Sequence, residues 1–539
     1  MSAAKKIRTD ERASLESLSV RQGNGMEDTL RNWLMFRADQ APDAPALSRR
    51  GSVTTYGALA EKVCAAAAGF RSLGLKKGDV VALQLPNIDA YVIAFLGVTA
   101  CGGIAQTLHM PYRRAELRHL IDHSGARMAV ALSTFKDMSP AGELVDLAAD
   151  LPKLDHVIAV GEPVDGAHTF ADLLLTPPVS DLPDLSPDDP FLLLYTSGTT
   201  ASPKGVPHLY RGFLGNAGRS AGELEIGAAE TLLSVAPYTH LYGLFVMHLC
   251  LAKGACQTLL PAFDPGTFLD ELREEKPSGV FAAPAHFAPF AGAGRLSDEH
   301  LAETRFVCLS GSTVPPALAF QVDDLMTTGG VIQLWGMSEL QAGSFGRPKD
   351  PREKRLTTAG RASEATLLRA VDDTGNPVAA GEEGELQVKG PSVFDGYLNN
   401  PAETAAAFAD DGWFRTGDLA VIDDEGFLTL TGRVKEIINR GGVKYNPVDI
   451  ETVLHGHPAV EACAIVPYPD PDLGERACLC VQLRDGRSLS LEAVSALLQE
   501  KGIAKYKWPE RLEEVPAMPL TPTRKIMRGT LKKRLTETA

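Results

Sequence analysis

One stretch constrains this chain more than any other: Leu192-Leu193-Leu194-Tyr195-Thr196-Ser197-Gly198-Thr199-Thr200-Ala201-Ser202-Pro203-Lys204-Gly205-Val206. It starts as a short apolar run bounded by Pro190, which reads as a buried strand. It then turns into hydroxyl and glycine residues. Backbone N–H groups and Ser/Thr hydroxyls in such a loop can close on phosphate oxygens, because Gly198 permits close approach and unusual φ/ψ. Lys204 adds a compact positive charge suited to a polyphosphate. The string is not a Walker A loop, which has Gly before its Lys and Ser or Thr after it. Pro203 and Gly205 stand at those places. On these residues alone, an ordinary polar turn between strands stays open beside a phosphate loop.

At 539 residues the chain exceeds one ordinary core, so two or more domains are expected. Its 44% hydrophobic and 22% charged content is that of a soluble globular protein. A net charge of −15 argues against non-specific nucleic-acid binding. The eight cysteines are scattered without a CxxC pair. That pattern suggests reduced thiols in a cytoplasmic protein. Residues 1–26 are polar, lack the apolar segment of a secretory signal, and read as a flexible arm. The longest apolar run, 90–105, is shorter than the ~20 residues a bilayer span needs. It reads as a buried helix, and no membrane span is expected.

Helical patterns at 57–73 and 116–123 alternate with strand patterns at 80–85 and 128–132, and Asn87 is placed to cap the helix that follows it. Further strands are expected at 231–235, 280–283, 306–309 and 331–335. This alternation indicates an α/β fold with mixed sheets. From 364 the texture changes to short strands at 365–371, 384–389, 420–422 and 427–431, separated by turn signals, which suits a small antiparallel β-barrel or sheet. Helices at 447–454 and 491–500 then alternate with strands at 462–467 and 477–483. The expected organisation is a large N-terminal domain over 27–432, a joint at 433–436 and a small mobile α+β domain over 437–539.

Several strings outside the loop carry chemistry. In Trp335-Gly336-Met337-Ser338-Glu339, a flat ring after a strand can stack on a base. The carboxylate beyond it can hold a hard cation, since Mg²⁺ prefers oxygen ligands. In Trp413-Phe414-Arg415-Thr416-Gly417-Asp418, a carboxylate can accept two hydrogen bonds from a ribose diol. Gly311-Ser312-Thr313 follows a strand, and His240 lies in a polar-aromatic turn at 237–243. Gly432-Arg433-Val434-Lys435-Glu436 precedes Arg440-Gly441-Gly442-Val443-Lys444. Leu520-Thr521-Pro522-Thr523-Arg524-Lys525-Ile526 opens a basic run, which on charge alone reads equally as a solvated face.

Together these strings resemble the adenylate-forming superfamily, which includes acyl-CoA synthetases, aryl-acid ligases, luciferases and peptide-synthetase adenylation domains. The resemblance covers nearly the whole chain after residue 27. It implies that Thr196, Ser197, Gly198, Thr199, Thr200 and Lys204 hold the phosphates of ATP, and that Gly311, Ser312, Trp335, Gly336, Met337 and Ser338 border the adenine. Asp418 is then the ribose ligand, with Arg433 beside it. Glu339 and Thr196 become the Mg²⁺ ligands, and Lys525 stabilises the transition state. His240, Gly243, Gly311 and Gly336 line the acyl site. Lys435 is the hinge about which the small domain rotates, bringing Gly441, Gly442, Val443 and Lys444 to the thioester-forming site.

The implied reaction activates a small carboxylic acid as its adenylate and passes the acyl group to coenzyme A, releasing AMP and pyrophosphate. Residues 238–243 contain no acid to hold an α-ammonium group, so an amino-acid substrate is not expected. The Gly336–Glu339 form, with Met110-Pro111-Tyr112-Arg113 upstream, looks most like alicyclic and aryl-acid ligases such as cyclohexanecarboxylate–CoA ligase. Medium-chain acids stay open. So do a carrier protein as acceptor, a homo-oligomer, and a non-catalytic adenylate-binding sensor.

Overall fold

The computed structural model describes residues 29–177, 182–196, 203–291, 294–440, 443–470, 473–521 and 525–537. The expected N-terminal arm, Ser197 to Thr200 of the phosphate loop, Gly441 and Gly442 lie outside the described residues.

The apolar run before the loop is the strand Pro190–Thr196, buried along its middle. It pairs antiparallel with Lys204–Leu209, and the register sets Thr196 opposite Lys204. The loop therefore joins two strands at one edge of a seven-stranded sheet. The rest of that sheet is parallel, with Val80–Gln84 at its centre between Ile104–Thr107 and Met128–Leu132. A nine-stranded sheet lies beside it. There Thr231–Ser234, Gly279–Ala282, Phe306–Leu309 and Gly330–Met337 run parallel, and Gln341–Phe345 turns back antiparallel. One hydrophobic core joins both sheets through the helices Tyr56–Ser72 and Asp89–Ala100, whose small residues allow close contact.

Two local expectations change. The apolar run over 90–105 is not one helix: the helix ends at Ala100, and a strand begins at Ile104. Gly102, at φ 74°, makes the reversal between them, a conformation that ends a helix cheaply. Asn87 does not cap that helix, whose first flanking residue is Ile88 without a side-chain bond. Instead its amide donates to the Ala236 carbonyl at 3.0 Å and accepts the Tyr238 N–H at 2.7 Å. Buried backbone groups of an irregular turn need partners, and Asn87 supplies both.

The short strands, expected as an antiparallel barrel or sheet, form a four-stranded antiparallel sheet, in the order Leu367–Val371, Glu383–Lys389, Phe414–Ile422, Leu428–Arg433. It leans on the nine-stranded sheet rather than closing on itself: the Leu428 N–H donates to Gly360 at 2.8 Å, and the Ala359 N–H donates to Leu428 at 2.8 Å. The small C-terminal domain has a five-stranded sheet centred on Gly474–Leu483, with Val460–Asp470 along one side. Two apolar clusters of its own cover that sheet, one with Ile450, Leu454, Val494 and Leu498 and the other with Leu531 and Leu535. No helix among the described residues is long and apolar enough to cross a membrane.

Candidate active site

Open α/β sheets bind ligands beyond the carboxyl ends of their parallel strands. In the nine-stranded sheet those ends carry Val235 to His240, Ala283, Ser310 with Gly311, and Trp335 to Glu339. The hairpin after Gly330–Met337 is unusually tight: a Cβ on Gly336 would sit 2.0 Å from the Gln341 carbonyl oxygen, so only glycine fits. That tightness sets Trp335 and Glu339 on one short segment.

The Trp335 indole N–H donates to Asp418 Oδ2 at 2.8 Å. The other oxygen of Asp418 pairs with Arg433 Nε at 2.8 Å, across the rung where Asp418 and Arg433 face each other in the antiparallel sheet. Trp335 is 5% exposed, with Gly343 against its ring, so the indole anchors Asp418 and leaves little open face.

Glu339 is 5% exposed. Burial pushes its carboxyl up, against the Tyr397 O–H bonded to Oε1 at 2.9 Å and the charges of Arg433 and Lys204. The Ser338 carbonyl accepts from His208 Nε2 at 2.6 Å, which assigns the proton of that imidazole to Nε2. Burial pushes His208 down to about 4. Lys204 pairs with Glu403 and lies 4.8 Å from the Tyr397 ring centroid.

The small domain adds Lys525. A short bridge between Leu520 and Ile526 closes its turn, and the Lys525 N–H donates to Thr521 Oγ1 at 3.0 Å. The residue is exposed. Desolvation of its ammonium group and the Arg433 charge lower its proton affinity, while Asp418 and Glu339 act the other way. Lys525 is therefore within electrostatic reach of a cleft formed by the large domain's charged groups.

The other end of that cleft is neutral. His240 precedes the helix Leu241–Lys253, and its Nδ1 accepts the Tyr242 N–H at 3.2 Å, which leaves the proton on Nε2. Burial first, then the charges of Lys525 and His109, push His240 down to about 3. His109 Nδ1 lies 2.8 Å from Thr239 Oγ1, and burial pushes it down to about 4. A Cβ on Gly243 would meet the Pro237 carbonyl oxygen at 2.3 Å, so glycine lets this helix start against the turn.

The structure thus brings together Lys204, Trp335, Glu339, Asp418, Arg433, Lys525 and His240, with Thr196 opposite Lys204. Lys435, in the single turn Val434–Glu436, is exposed, and its charge reaches Glu403. Val443 lies on a separate hairpin opposite Arg440, exposed, and no described contact joins it to the cluster. Met337 and Ser338 flank the anchor residues. Ser312 is exposed after its strand.

Tyr397, Glu403, His208 and His109 stand outside every chemical string picked from the sequence. For Glu403 the local signal is Asn400-Pro401, which caps the helix Pro401–Ala407: the Asn400 side chain accepts the Glu403 N–H. That signal marks a helix start and says nothing of Lys204.

Among the described residues no three His, Cys, Asp or Glu side chains form a metal-binding group. The donor types of Glu339 and Thr196, a carboxylate and a hydroxyl, still suit Mg²⁺, which keeps water and phosphate as its other ligands.

The family profile described as AMP-binding enzyme matches residues 35–398, and that described as AMP-binding enzyme C-terminal domain matches residues 449–525. The chain is 31% identical over 517 residues to a feruloyl-CoA synthase of Amycolatopsis sp, covering 94% of this chain and 99% of that protein. It is 32% identical over 527 residues to the salicyl-AMP ligase / salicyl-S-ArCP synthetase of Mycobacterium tuberculosis, covering 95% and 90%. ATP-bound MatB from Rhodopseudomonas palustris shares the fold at a TM-score of 0.86 and 24% identity, covering 95% of this chain and 100% of that one. With both profiles matched in order and relatives aligned along nearly its full length, the chain belongs to the AMP-binding enzymes of the adenylate-forming superfamily, in the acyl-CoA synthetase branch.

Proposed function

We propose that this protein is an ATP-dependent carboxylic acid–CoA ligase for an aryl or alicyclic acid. A substrate carboxylate attacks the α-phosphorus of ATP, the bond to the β-phosphate breaks, and pyrophosphate leaves. The carboxylate is already a nucleophile, so the protein contributes position and charge rather than a base. Lys525 stabilises charge growing on the α-phosphate. Asp418, held by Trp335 and Arg433, takes the ribose diol. Lys204 meets the outer phosphates, a role the sequence also gives to Ser197, Gly198, Thr199 and Thr200. Glu339 and Thr196 would hold Mg²⁺, whose charge offsets that of the phosphates. In the second half-reaction the thiol of coenzyme A attacks the acyl carbon, and AMP leaves after the small domain turns about Lys435.

The observation that carries this reading is the buried Asp418 held between the Trp335 indole N–H and Arg433, with the Lys525 charge of the small domain within electrostatic reach. The acid class is supported by the likeness to a feruloyl-CoA synthase, and by the buried, neutral imidazoles of His240 and His109 at the end proposed for the acyl group. Likeness to a salicyl-AMP ligase favours a second reading, in which a carrier protein takes the acyl group. A pyrophosphate-release screen over aryl, alicyclic and straight-chain acids tests the first half-reaction. No release with any acid would leave only an adenylate-binding protein. Preformed adenylate offered to coenzyme A or to a carrier protein then decides the acceptor.

A further inference from the structure

Lys204 has partners before any nucleotide arrives. Its ammonium pairs with Glu403 and lies over the Tyr397 ring, whose hydroxyl is bonded to Glu339. The Lys204 side chain is 18% exposed and that of Glu403 46%, so the pair sits at the mouth of the cleft. The position of Glu403 is set by its helix, since Asn400 accepts its N–H at 3.2 Å. The Lys204 hydrogen bond is the main cause that holds the Glu403 carboxyl below the usual range, and the Lys435 charge adds to it.

We propose that Glu403 is a positioning residue that stands in for phosphate on Lys204. The proposal rests on the adenylate-forming reading. Polyphosphate oxygens carry more charge than one carboxylate and draw Lys204 away, and when pyrophosphate departs Glu403 reclaims Lys204. Glu403 is in this sense a competitor for the phosphate site, and removing it strengthens pyrophosphate binding. A merely structural carboxylate does the reverse, since its loss loosens Lys204 and weakens every phosphate ligand.

The test is calorimetric titration of full-length protein with magnesium pyrophosphate, for the natural chain, Glu403→Gln and Glu403→Asp. Glu403→Gln should bind about fivefold tighter, the scale of a partly exposed ion pair, and Glu403→Asp should return toward the natural value. Unchanged or weaker binding by a folded Glu403→Gln variant overturns the proposal. A natural chain that binds pyrophosphate but shows no acid-dependent exchange would instead overturn the reaction assigned above, with the titration still deciding the role of Glu403.

Discussion

The two ends of the cleft are built on opposite principles. At the nucleotide end, charged groups from separate strands are paired and hydrogen-bonded: Trp335 to Asp418, Asp418 to Arg433, Tyr397 to Glu339. At the acyl end the polar groups are imidazoles held neutral by burial, and the shape comes from the close approach of Gly243 to Pro237. The difference is that between recognising a charge and recognising a shape. A polyphosphate needs fixed donors and cations wherever the fold occurs. An acyl group needs a volume, and many side chains can bound the same volume.

The sharpest way to break this contrast is to remove the one cation that reaches both ends. Lys525→Ala should slow adenylate formation by about 10²–10³-fold, the usual cost of losing one preorganised transition-state donor. It should leave thioester formation from supplied acyl-adenylate near the natural rate. Equal loss in both half-reactions, measured separately, would mean that Lys525 serves the fold rather than the first step.

A smaller effect separates anchoring from stacking at Trp335. Trp335→Phe keeps a ring and deletes the N–H that holds Asp418. Losing a hydrogen bond to a charged group is worth roughly 1.5–3 kcal/mol, so KM for ATP should rise about tenfold or more with little change in kcat. An unchanged KM in steady-state assays would show that the ring, not its N–H, matters to the nucleotide.

That Trp335, Glu339, Asp418 and Arg433 belong to one cluster was legible because these residues sit in short strings at strand ends, where type and order carry the chemistry. Trp335 and Glu339 are four residues apart on one hairpin, and Asp418 faces Arg433 across one rung. The alternation of helix and strand in the large domain was legible for the same local reason. What stayed hidden depends on contacts between distant segments. Asn87 looks like a helix cap until a turn 149 residues later takes its amide. Glu403 looks like a first-turn acid until Lys204, 199 residues earlier, lies beside it. The apolar run over 90–105 reads as one helix because burial on every side erases periodicity in strand and helix alike.

The joint between domains gives a still smaller and more selective effect. Lys435→Pro fixes φ and removes one N–H at the residue proposed as the hinge, where a few residues would absorb a large rotation. Thioester formation should fall by about fivefold to tenfold, while acid-dependent pyrophosphate exchange changes less. An overall rate equal to that of the natural chain would argue against rotation at residue 435.

The smallest effect tests the electrostatic half of the contrast. His208 supports the Ser338 carbonyl through Nε2, and its ring meets the edge of Phe213 at 4.9 Å. Burial lowers it from 6.5 to about 4, so the unfolded chain binds the extra proton more readily than the folded one. The stability it contributes is complete above about pH 6.5 and drains away as the pH falls toward 4, by at most about 1.4 kcal/mol per pH unit. His109 and His240 act with the same sign. Glu339, pushed up by burial, acts with the opposite sign, its contribution lost as the pH rises above the usual carboxylate range. Urea unfolding of the natural chain and of His208→Gln, compared between about pH 7 and pH 5.5, isolates the His208 part of the slope. The variant should start less stable, through the lost support of Ser338, and fall less steeply with acid. Parallel slopes would mean that His208 takes up its proton in the fold as easily as in the open chain, and the boundary drawn between a charged end and a neutral end would lose its physical basis there.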